Sequence, residues 1–231
     1  MRFAVSDDVF SLFPGYVVGV VVAEDVCNSL ILSEDVLNPA CEHVRDNVTC
    51  GAREHAHVRA WRDAFEILGY NPNRFPPSIE ALVARVLKTG AVPSINPAVD
   101  MINAHSLRYL VPMGAHDIDR LSGDFEVRYS NPGERFAPMG GKDVESVDQP
   151  EIVYADGLEI RTRRWIWRQG DNAKVDVSTR TLFCPVDGFY DLTHEAVLSA
   201  RASLAGALAT HFGCKVTEYW VDKDRRSIQI R

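Results

Sequence analysis

The stretch LVPMGAHDIDRLSGDFEVRYSNPGERF, residues 110–136, combines two patterns on which the fold prediction depends. Phe125, Val127 and Tyr129 alternate with charged residues, which predicts a half-buried β-strand. Before this strand, a lone histidine and several aspartates stand among apolar residues and turn signals. A purely structural segment does not need so many polar groups, so we expect the stretch to form one wall of a small pocket.

Apolar residues at helical spacing predict helices on both sides of this stretch. Ser78 and Asn96 are the expected caps of two of them, and Pro97 suits the first position after Asn96. Gly90 and Gly213 are expected to end two helices. The predicted helices cover residues 57–70, 78–90, a segment starting at 96, and 193–213.

Short apolar or alternating runs separated by turn signals predict strands. They cover residues 16–23, 125–129, 151–155, 158–162, 164–168 and 181–186, with a final hairpin of 215–221 and 227–231. Because helical and strand segments are segregated along the chain, we predict an α+β fold in one domain, residues 1–231.

Composition limits the partners and the compartment. The formal net charge is −7, whereas proteins that grip long nucleic acids are usually basic, so the charge fits contact with the end of a nucleic acid and disfavours binding along DNA. The longest apolar run, residues 16–23, is too short to span a bilayer, and the N-terminus lacks the pattern of a signal peptide. Five scattered cysteines suit reduced thiols. We therefore predict a cytoplasmic protein without a membrane partner.

Two sets of residues suggest metal binding or nucleophilic catalysis, and each also has a structural interpretation. A zinc site is disfavoured because the spacing matches no standard finger; its candidate ligands are Cys41, His43, Cys50, His55 and His57. Cys184 lies in an apolar run that predicts a buried strand, where a thiol is inert packing. Gly-x-Ser-x-Gly and phosphate-loop motifs are absent from the sequence. No metal and no cofactor are expected.

An arginine cluster leaves two alternatives open. Its members are Arg161, Arg163, Arg164 and Arg168. They form either a solvated strand face with surface ion pairs or a clamp for a phosphate or carboxylate. On a strand over 164–168, Trp165 and Trp167 would share a core-facing side.

His116 also has two interpretations. It is either a structural histidine with satisfied hydrogen bonds or a polar group that positions water or a substrate amine. Asp117 and Asp119 are candidates to cap a short helical turn. Gly114, two residues before His116, would let the backbone approach a ligand closely.

Residues 95–136 resemble the editing module, or B3/B4 domain, of the bacterial phenylalanyl-tRNA synthetase β subunit. The pattern comprises Val99, Asp100, Asn103, Pro112, Asp117, Asp119, Gly123, Arg128, Gly133 and Glu134, and EIVYADG at 151–157 matches the next strand and turn. Residues 60–87 are similar to free-standing members of this group, so the resemblance covers about 57–190. It implies a mixed-sheet sandwich with flanking helices, completed by the N-terminal strands and the C-terminal helix and hairpin.

In that synthetase the module hydrolyses tyrosine wrongly esterified to phenylalanine tRNA, so the resemblance implies hydrolysis of an amino acid from a mischarged tRNA. A pocket for one apolar amino acid rejects a near-isostere poorly, so a second site must remove mistakes. The chain departs from the pattern at three places. The histidine of the family's catalytic site falls at Gly114, and its glutamate falls at about Pro185. The family's glycine-rich wall is replaced by other residues, with only Gly170 matched. We therefore expect a rebuilt amino-acid pocket that does not bind tyrosine in the family's way.

The resulting hypothesis is a free-standing aminoacyl-tRNA deacylase that binds the tRNA 3′ end and has no ligase activity of its own. The expected catalytic residues are Asn103, His116, Gln169 and Asp187, and the expected substrate-binding residues are Pro112, Met113, Gly114, Trp167, Arg168 and Gly170. Two alternatives stay open at this stage. One is a non-catalytic module that binds an RNA end or a free amino acid, and the other is a hydrolase of small amino-acid conjugates.

Overall fold

Two β-sheets face each other across an apolar core, and helices cover the outer face of the smaller sheet. The computed structural model describes residues 1–29, 32, 35–141, 143–147 and 149–231. Within them the strands are β1 (Arg2–Val5), β2 (Tyr16–Glu24), β3 (His116–Asp117), β4 (Phe125–Tyr129), β5 (Arg135–Phe136), β6 (Glu145–Ser146), β7 (Ile152–Asp156), β8 (Glu159–Arg163), β9 (Arg168–Gln169), β10 (Leu182–Phe189), β11 (Lys215–Val221) and β12 (Ser227–Gln229).

Six α-helices lie in the described part of the chain. They are α1 (Asp7–Leu12), α2 (Leu37–Asn47), α3 (Ala56–Ile67), α4 (Ser78–Thr89), α5 (Pro97–Tyr109) and α6 (Tyr190–Phe212). Short 3-10 turns occupy Ala52–Glu54 and Ile118–Arg120. Among the described residues, no helix combines the length and the apolar character that a membrane crossing requires. The predicted α+β class with a mixed sheet is confirmed.

The larger sheet has the order β12-β1-β4-β7-β8-β5-β6, with β9 beside β8, and the smaller sheet has the order β11-β2-β10-β3. Parallel pairing of β1 with β4 and of β5 with β8 makes the larger sheet mixed. In the smaller sheet, β2 and β10 are buried along almost their whole length because one face meets the larger sheet and the other meets α5 and α6. Burial on both faces explains why these strands are nearly continuous apolar runs.

Several predicted helix ends are confirmed. The Asn96 side chain accepts a hydrogen bond from the Val99 N–H at the start of α5, and Pro97 is the first helical residue. Gly90 and Gly213 follow α4 and α6 in the left-handed conformation, with φ of 80° and 61°. Ser78 is not the cap of α4 but its first residue, because the extended Pro77 holds the capping position.

Two strand predictions are wrong. Residues 164–167 form a turn between β8 and β9 in place of a strand over 164–168. The last two strands do not form a hairpin, because β11 pairs with β2 in the smaller sheet whereas β12 pairs with β1 in the larger one. Each of these strands completes the edge of a different sheet, and the segment between them carries the chain from one sheet to the other.

The long helix α6 packs closely on the smaller sheet at a glycine of β10. A Cβ atom on Gly188 would lie 2.4 Å from the Thr193 hydroxyl oxygen and 2.5 Å from a Val197 methyl carbon. Real side chains do not approach so closely, so this contact requires glycine. Because Asp187 precedes Gly188 directly, the same contact fixes the backbone of a candidate site residue.

We predict that Gly188→Ala lowers the free energy of unfolding by about 1–3 kcal/mol, the usual cost of overpacking a core. The matched control is Gly206→Ala on the exposed face of α6, where a Cβ would meet no atom within 4 Å. This control should raise stability by about 0.5–1 kcal/mol because alanine favours helix. Urea unfolding measures both variants. Equal stability of Gly188→Ala and the wild type would contradict the packing described here.

Candidate active site

A cavity of about 80 Å³ opens where β10, the segment 112–116 and the turn after β8 meet. Its walls carry eight of the ten residues that sequence reasoning assigned to a site, which are Pro112, Met113, Gly114, His116, Trp167, Arg168, Gln169 and Asp187. The other lining residues are Ser78, Tyr154, Thr162, Trp165, Ile166 and Pro185. From the segment 110–136, residues 112–114 and His116 line this cavity, whereas its aspartates do not.

The cavity opens beside a proline in a central strand. The Pro185 carbonyl accepts a hydrogen bond from the Gly114 N–H at 3.1 Å, so its ring nitrogen faces the same segment and has no hydrogen to donate. Regular pairing of β10 with β3 is confined to Leu182 and Phe183. A Cβ on Gly114 would lie 3.5 Å from the Pro185 ring and 3.8 Å from Nε2 of His116. Gly114 thus leaves open the space beside the histidine.

The carboxylate of Asp187 is buried between the two sheets. Its Oδ1 accepts hydrogen bonds from the hydroxyls of Tyr16 and Tyr154, each at 2.5 Å, and its backbone N–H donates to the Pro112 carbonyl at 3.0 Å. Burial raises the pKa of Asp187 to about 6, against the two tyrosine hydrogen bonds, which lower it. Near neutral pH this carboxylate is ionised yet close enough to its pKa to exchange a proton, as a general base requires.

The imidazole of His116 is neutral. Burial, followed by the positive charge of Arg161, lowers the pKa of His116 to about 3. Its Nδ1 is buried and has no hydrogen-bond partner among the described residues, whereas Nε2 lies on the cavity side beside Gly114. A proton on Nδ1 would be a donor without an acceptor in the field of a cation, so we place the proton on Nε2. His116 can therefore donate an N–H to a molecule in the cavity.

The opposite wall is a strained turn. Arg164 and Trp165 both adopt positive φ, 44° and 63°, which is costly for residues with large side chains. Burial of the Trp165 indole against Phe13, Tyr16 and Trp61, at centroid distances of 4.7–5.0 Å, offsets this strain. The turn thereby directs the following residues, Trp167 to Gln169, along the cavity.

Trp165 and Trp167 do not share one face. Trp165 is fully buried, whereas the half-buried Trp167 ring packs on Phe75 at 4.8 Å and under the Arg164 guanidinium at 4.7 Å. At the end of the turn, the Gln169 side-chain amide donates to the Ala115 carbonyl at 2.5 Å. This bond fixes the Gln169 side chain at the cavity wall and leaves its own carbonyl oxygen available.

Neither alternative for the arginine cluster holds as a whole. Three of its members make internal ion pairs: Arg161 with Asp156, Arg163 with Glu145 and Glu151, and Arg164 with Glu151. Arg168 differs from them, because no carboxylate of the described residues pairs with it and its guanidinium lies 5.9 Å from the Trp167 ring centroid. Arg168 is the cluster member that could bind an anionic or carbonyl group at the cavity.

Two of the expected site residues lie elsewhere. Gly170 is buried against Phe136 and Ala137, where a Cβ would meet atoms at 3.0–3.1 Å, so it serves backbone packing beside the cavity. Asn103 lines an adjoining groove of about 560 Å³ between α5 and residues 171–177. Cavity and groove share three wall residues, Met113, Gly114 and Gln169. A ligand could therefore occupy both.

Sequence reasoning missed the two tyrosines that bind Asp187. The sequence pattern predicts Tyr16 only as the start of a buried strand and Tyr154 only as part of a strand before a turn. Asp187 pairs with Val18 in the ladder, so Tyr16 is its diagonal neighbour on the same face. A tyrosine hydroxyl and a carboxylate that are both predicted to be buried need hydrogen-bond partners. This requirement is the feature of the sequence that could have indicated their contact.

The candidate zinc ligands do not lie together at one site. Cys41 packs in the core, Cys50 is exposed, and His55 caps α3 with its Nδ1. Among the described residues, no three side chains of cysteine, histidine, aspartate or glutamate are grouped to hold a metal ion. Cys184 is buried, which raises the pKa of its thiol, as expected for packing without reactivity.

Comparisons with known proteins agree with the motif. The model of the B3/4 domain family matches residues 60–202. The phenylalanine–tRNA ligase beta subunit of Legionella pneumophila is 34% identical over 101 residues, which are 44% of this chain and 12% of that protein. The beta subunit of Pectobacterium atrosepticum is 28% identical over 141 residues, 61% of this chain and 17% of that protein. The chain thus spans about one-eighth to one-sixth of the length of these relatives.

A solved N-terminal fragment of the phenylalanyl-tRNA synthetase beta subunit from Pyrococcus horikoshii is also similar. Its alignment covers 96% of this chain and 54% of that one, with a TM-score of 0.46 and 14% sequence identity.

We predict that Asp187→Asn stabilises the protein, and more so at high pH. The folded pKa of about 6 lies above the ordinary 3.8, so the wild type loses stability as the pH rises from about 4 through 6, when the buried group ionises. Asparagine keeps the oxygen that the tyrosines bind and carries no charge. The gain in unfolding free energy should grow by about 2 kcal/mol between pH 4.5 and 8.

Urea unfolding at the two pH values measures this difference. The control, Asp46→Asn on the exposed side of α2, should change stability by less than about 0.5 kcal/mol at both. A gain that does not depend on pH, or a loss that grows with pH, would show that the buried charge is not destabilising.

Proposed function

Because the chain belongs to the B3/4 domain family, we propose that it hydrolyses the ester of a mischarged aminoacyl-tRNA that another protein has charged. The observation that carries this proposal is the presence of two complementary groups in the walls of one cavity. Asp187 offers a carboxylate with a pKa of about 6, and His116 offers a neutral imidazole N–H. Ester hydrolysis needs such a base for water and such a donor for the developing oxyanion.

In the proposed reaction Asp187 takes a proton from a water molecule whose oxygen attacks the ester carbonyl carbon. Negative charge develops on the carbonyl oxygen, where the Nε2–H of His116 stabilises it. The tetrahedral intermediate then breaks its bond to the ribose oxygen, which receives the proton held by Asp187. The products are the free amino acid and the uncharged tRNA, and no external reactant besides water is needed. The carbonyl oxygen of Gln169 would orient the water.

The groove beside the cavity suits the end of a tRNA. Since the two share walls, an aminoacyl group in the cavity places the esterified nucleoside in the groove. Ile95 and Val177 present exposed apolar side chains there, at 63% and 60% exposure, on which a base can pack. Asn103 offers an amide to the ribose or base, and Arg168 lies where a phosphate or carbonyl can reach it. Only the 3′ end needs to enter, which is compatible with the acidic net charge.

One observation favours a second candidate, a module that binds a free amino acid without catalysis. Asp187 and Arg168 line the same cavity, so an ammonium and a carboxylate of one zwitterion could pair with them. The two candidates differ in outcome, because binding alone leaves an ester intact.

We predict hydrolysis when the protein is incubated with a panel of tRNAs, each charged with the wrong amino acid. A cavity of about 80 Å³ suits small side chains, so alanyl and seryl esters should be cleaved faster than tyrosyl esters. The rate should rise with pH through about 6, as Asp187 ionises, and then level off. Asp187→Asn should lower the rate by at least about 100-fold, the usual contribution of a general base.

Two glycine variants provide the controls. Gly114→Leu should fill the cavity and abolish hydrolysis, while Gly123→Leu, at a glycine where a Cβ would meet no atom within 4 Å, should keep wild-type rates. If no ester in the panel is cleaved but a free amino acid raises the melting temperature of the wild type and not of Gly114→Leu, the binding module replaces the deacylase.

A further inference from the structure

We propose that Tyr16 and Tyr154 are positioning residues that hold Oδ1 of Asp187 and so present Oδ2 to the reacting water. This inference rests on the proposed hydrolytic function. It adds two side chains, one from each sheet, to the proposed catalytic site. One of them, Tyr16, is not among the residues that line the cavity. Tyr16 would act on the substrate only through Asp187.

The hydrogen-bond geometry assigns the two carboxylate oxygens different tasks. Both hydroxyls lie 2.5 Å from Oδ1, and the two hydroxyl oxygens lie 3.3 Å from each other. Each phenol has a single hydrogen to donate, and the acceptor that serves both is the charged oxygen. Oδ2 accepts no hydrogen bond from any residue that the structure describes. With Oδ1 fixed from two directions, the plane of the carboxylate is set and Oδ2 is left for a water molecule.

Aromatic packing keeps both phenols in place. The Tyr16 ring meets Trp165 edge-on at 4.7 Å and Trp61 edge-on at 6.3 Å. The Tyr154 ring stacks on Phe3 at 6.1 Å and lies 5.9 Å from the His116 ring, nearly parallel to it at 21°. Neither ring can turn away from Asp187 without displacing a buried neighbour. The same Tyr154 ring therefore also supports the imidazole that donates to the oxyanion.

The tyrosines stay protonated and thus stay donors. Burial and the charge of Asp187 raise the pKa of both hydroxyls well above the usual value. The other titratable or charged groups that line the cavity with Asp187 are His116 from β3, which is neutral, and Arg168 from β9. The hydroxyl hydrogen bonds are the interactions that favour the ionised carboxylate against its burial. Removing one should make Asp187 harder to ionise.

The experiment compares Tyr16→Phe, Tyr154→Phe and the double variant, which keep the rings and remove the hydroxyls. Carbon-13 NMR of protein labelled at the aspartate side-chain carboxyl carbon gives the pKa of Asp187 directly, and Asp187→Asn identifies the signal. Each single variant should raise this pKa by about 1, and the double variant by more. The control, Tyr129→Phe in the neighbouring strand β4, removes a half-buried hydroxyl that does not bond to Asp187 and should leave the pKa at about 6.

The pH profile of hydrolysis should move with the NMR value. In each single variant the rising limb should shift upward by about 1 pH unit, so the rate at pH 6 falls about fivefold while the rate at pH 9 stays near the wild-type rate. KM should change little, because the tyrosines do not bind substrate. A merely structural defect would lower the rate at every pH alike.

Failure of this inference can be told apart from failure of the proposed function. Hydrolysis by the wild type with an unmoved profile and an unmoved NMR pKa in Tyr16→Phe would overturn the positioning role and leave the deacylase standing. If the wild type hydrolyses no ester, the proposed function and the catalytic part of this inference both fail. Even then, an NMR pKa unchanged by loss of both hydroxyls would refute the claim that they hold the carboxylate, and a raised value would support it.

Discussion

A single carboxylate held between two β-sheets is the constraint on which the rest of this structure depends. Burying a charge is costly unless hydrogen bonds compensate for it. Asp187 receives that compensation from hydroxyls on β2 and β7, one from each sheet. The compensation is partial, so burial still raises the pKa of Asp187 to about 6. The protein thus keeps a group that destabilises the fold at neutral pH but is suited to chemistry there.

The residues that reveal the family belong to the framework more than to the cavity. Asp100 accepts hydrogen bonds from Ser94 and the Ile95 N–H before α5, and Arg128 pairs with the buried Glu134. Such contacts fix loops and strand ends, which explains why the motif identifies the fold. The cavity side chains that could take part in a reaction lie outside the motif. The substrate preference can therefore change while the framework stays the same.

Local pattern predicted those elements whose own residues decide their structure. The alternation in residues 125–129 gave β4 with both ends correct, because burial of one face alone requires that pattern. The alternation of residues 164–168 looks equally regular, but there burial of Trp165 among aromatic rings from distant segments imposes a turn. The partnership of Tyr16 with Asp187 spans 171 positions of the chain and depends on the strand register. Only the folded arrangement of β2 and β10 brings that pair together.

A crystal structure with a stable substrate analogue tests the central claim most directly. The suitable analogue is 3′-alanylamino-3′-deoxyadenosine, in which an amide replaces the labile ester. The account predicts the alanyl group in the cavity, its carbonyl oxygen within hydrogen-bond distance of Nε2 of His116, a water molecule on Oδ2 of Asp187, and the adenosine in the adjoining groove. An analogue bound elsewhere, or one whose carbonyl lies beyond the reach of both side chains, would contradict it.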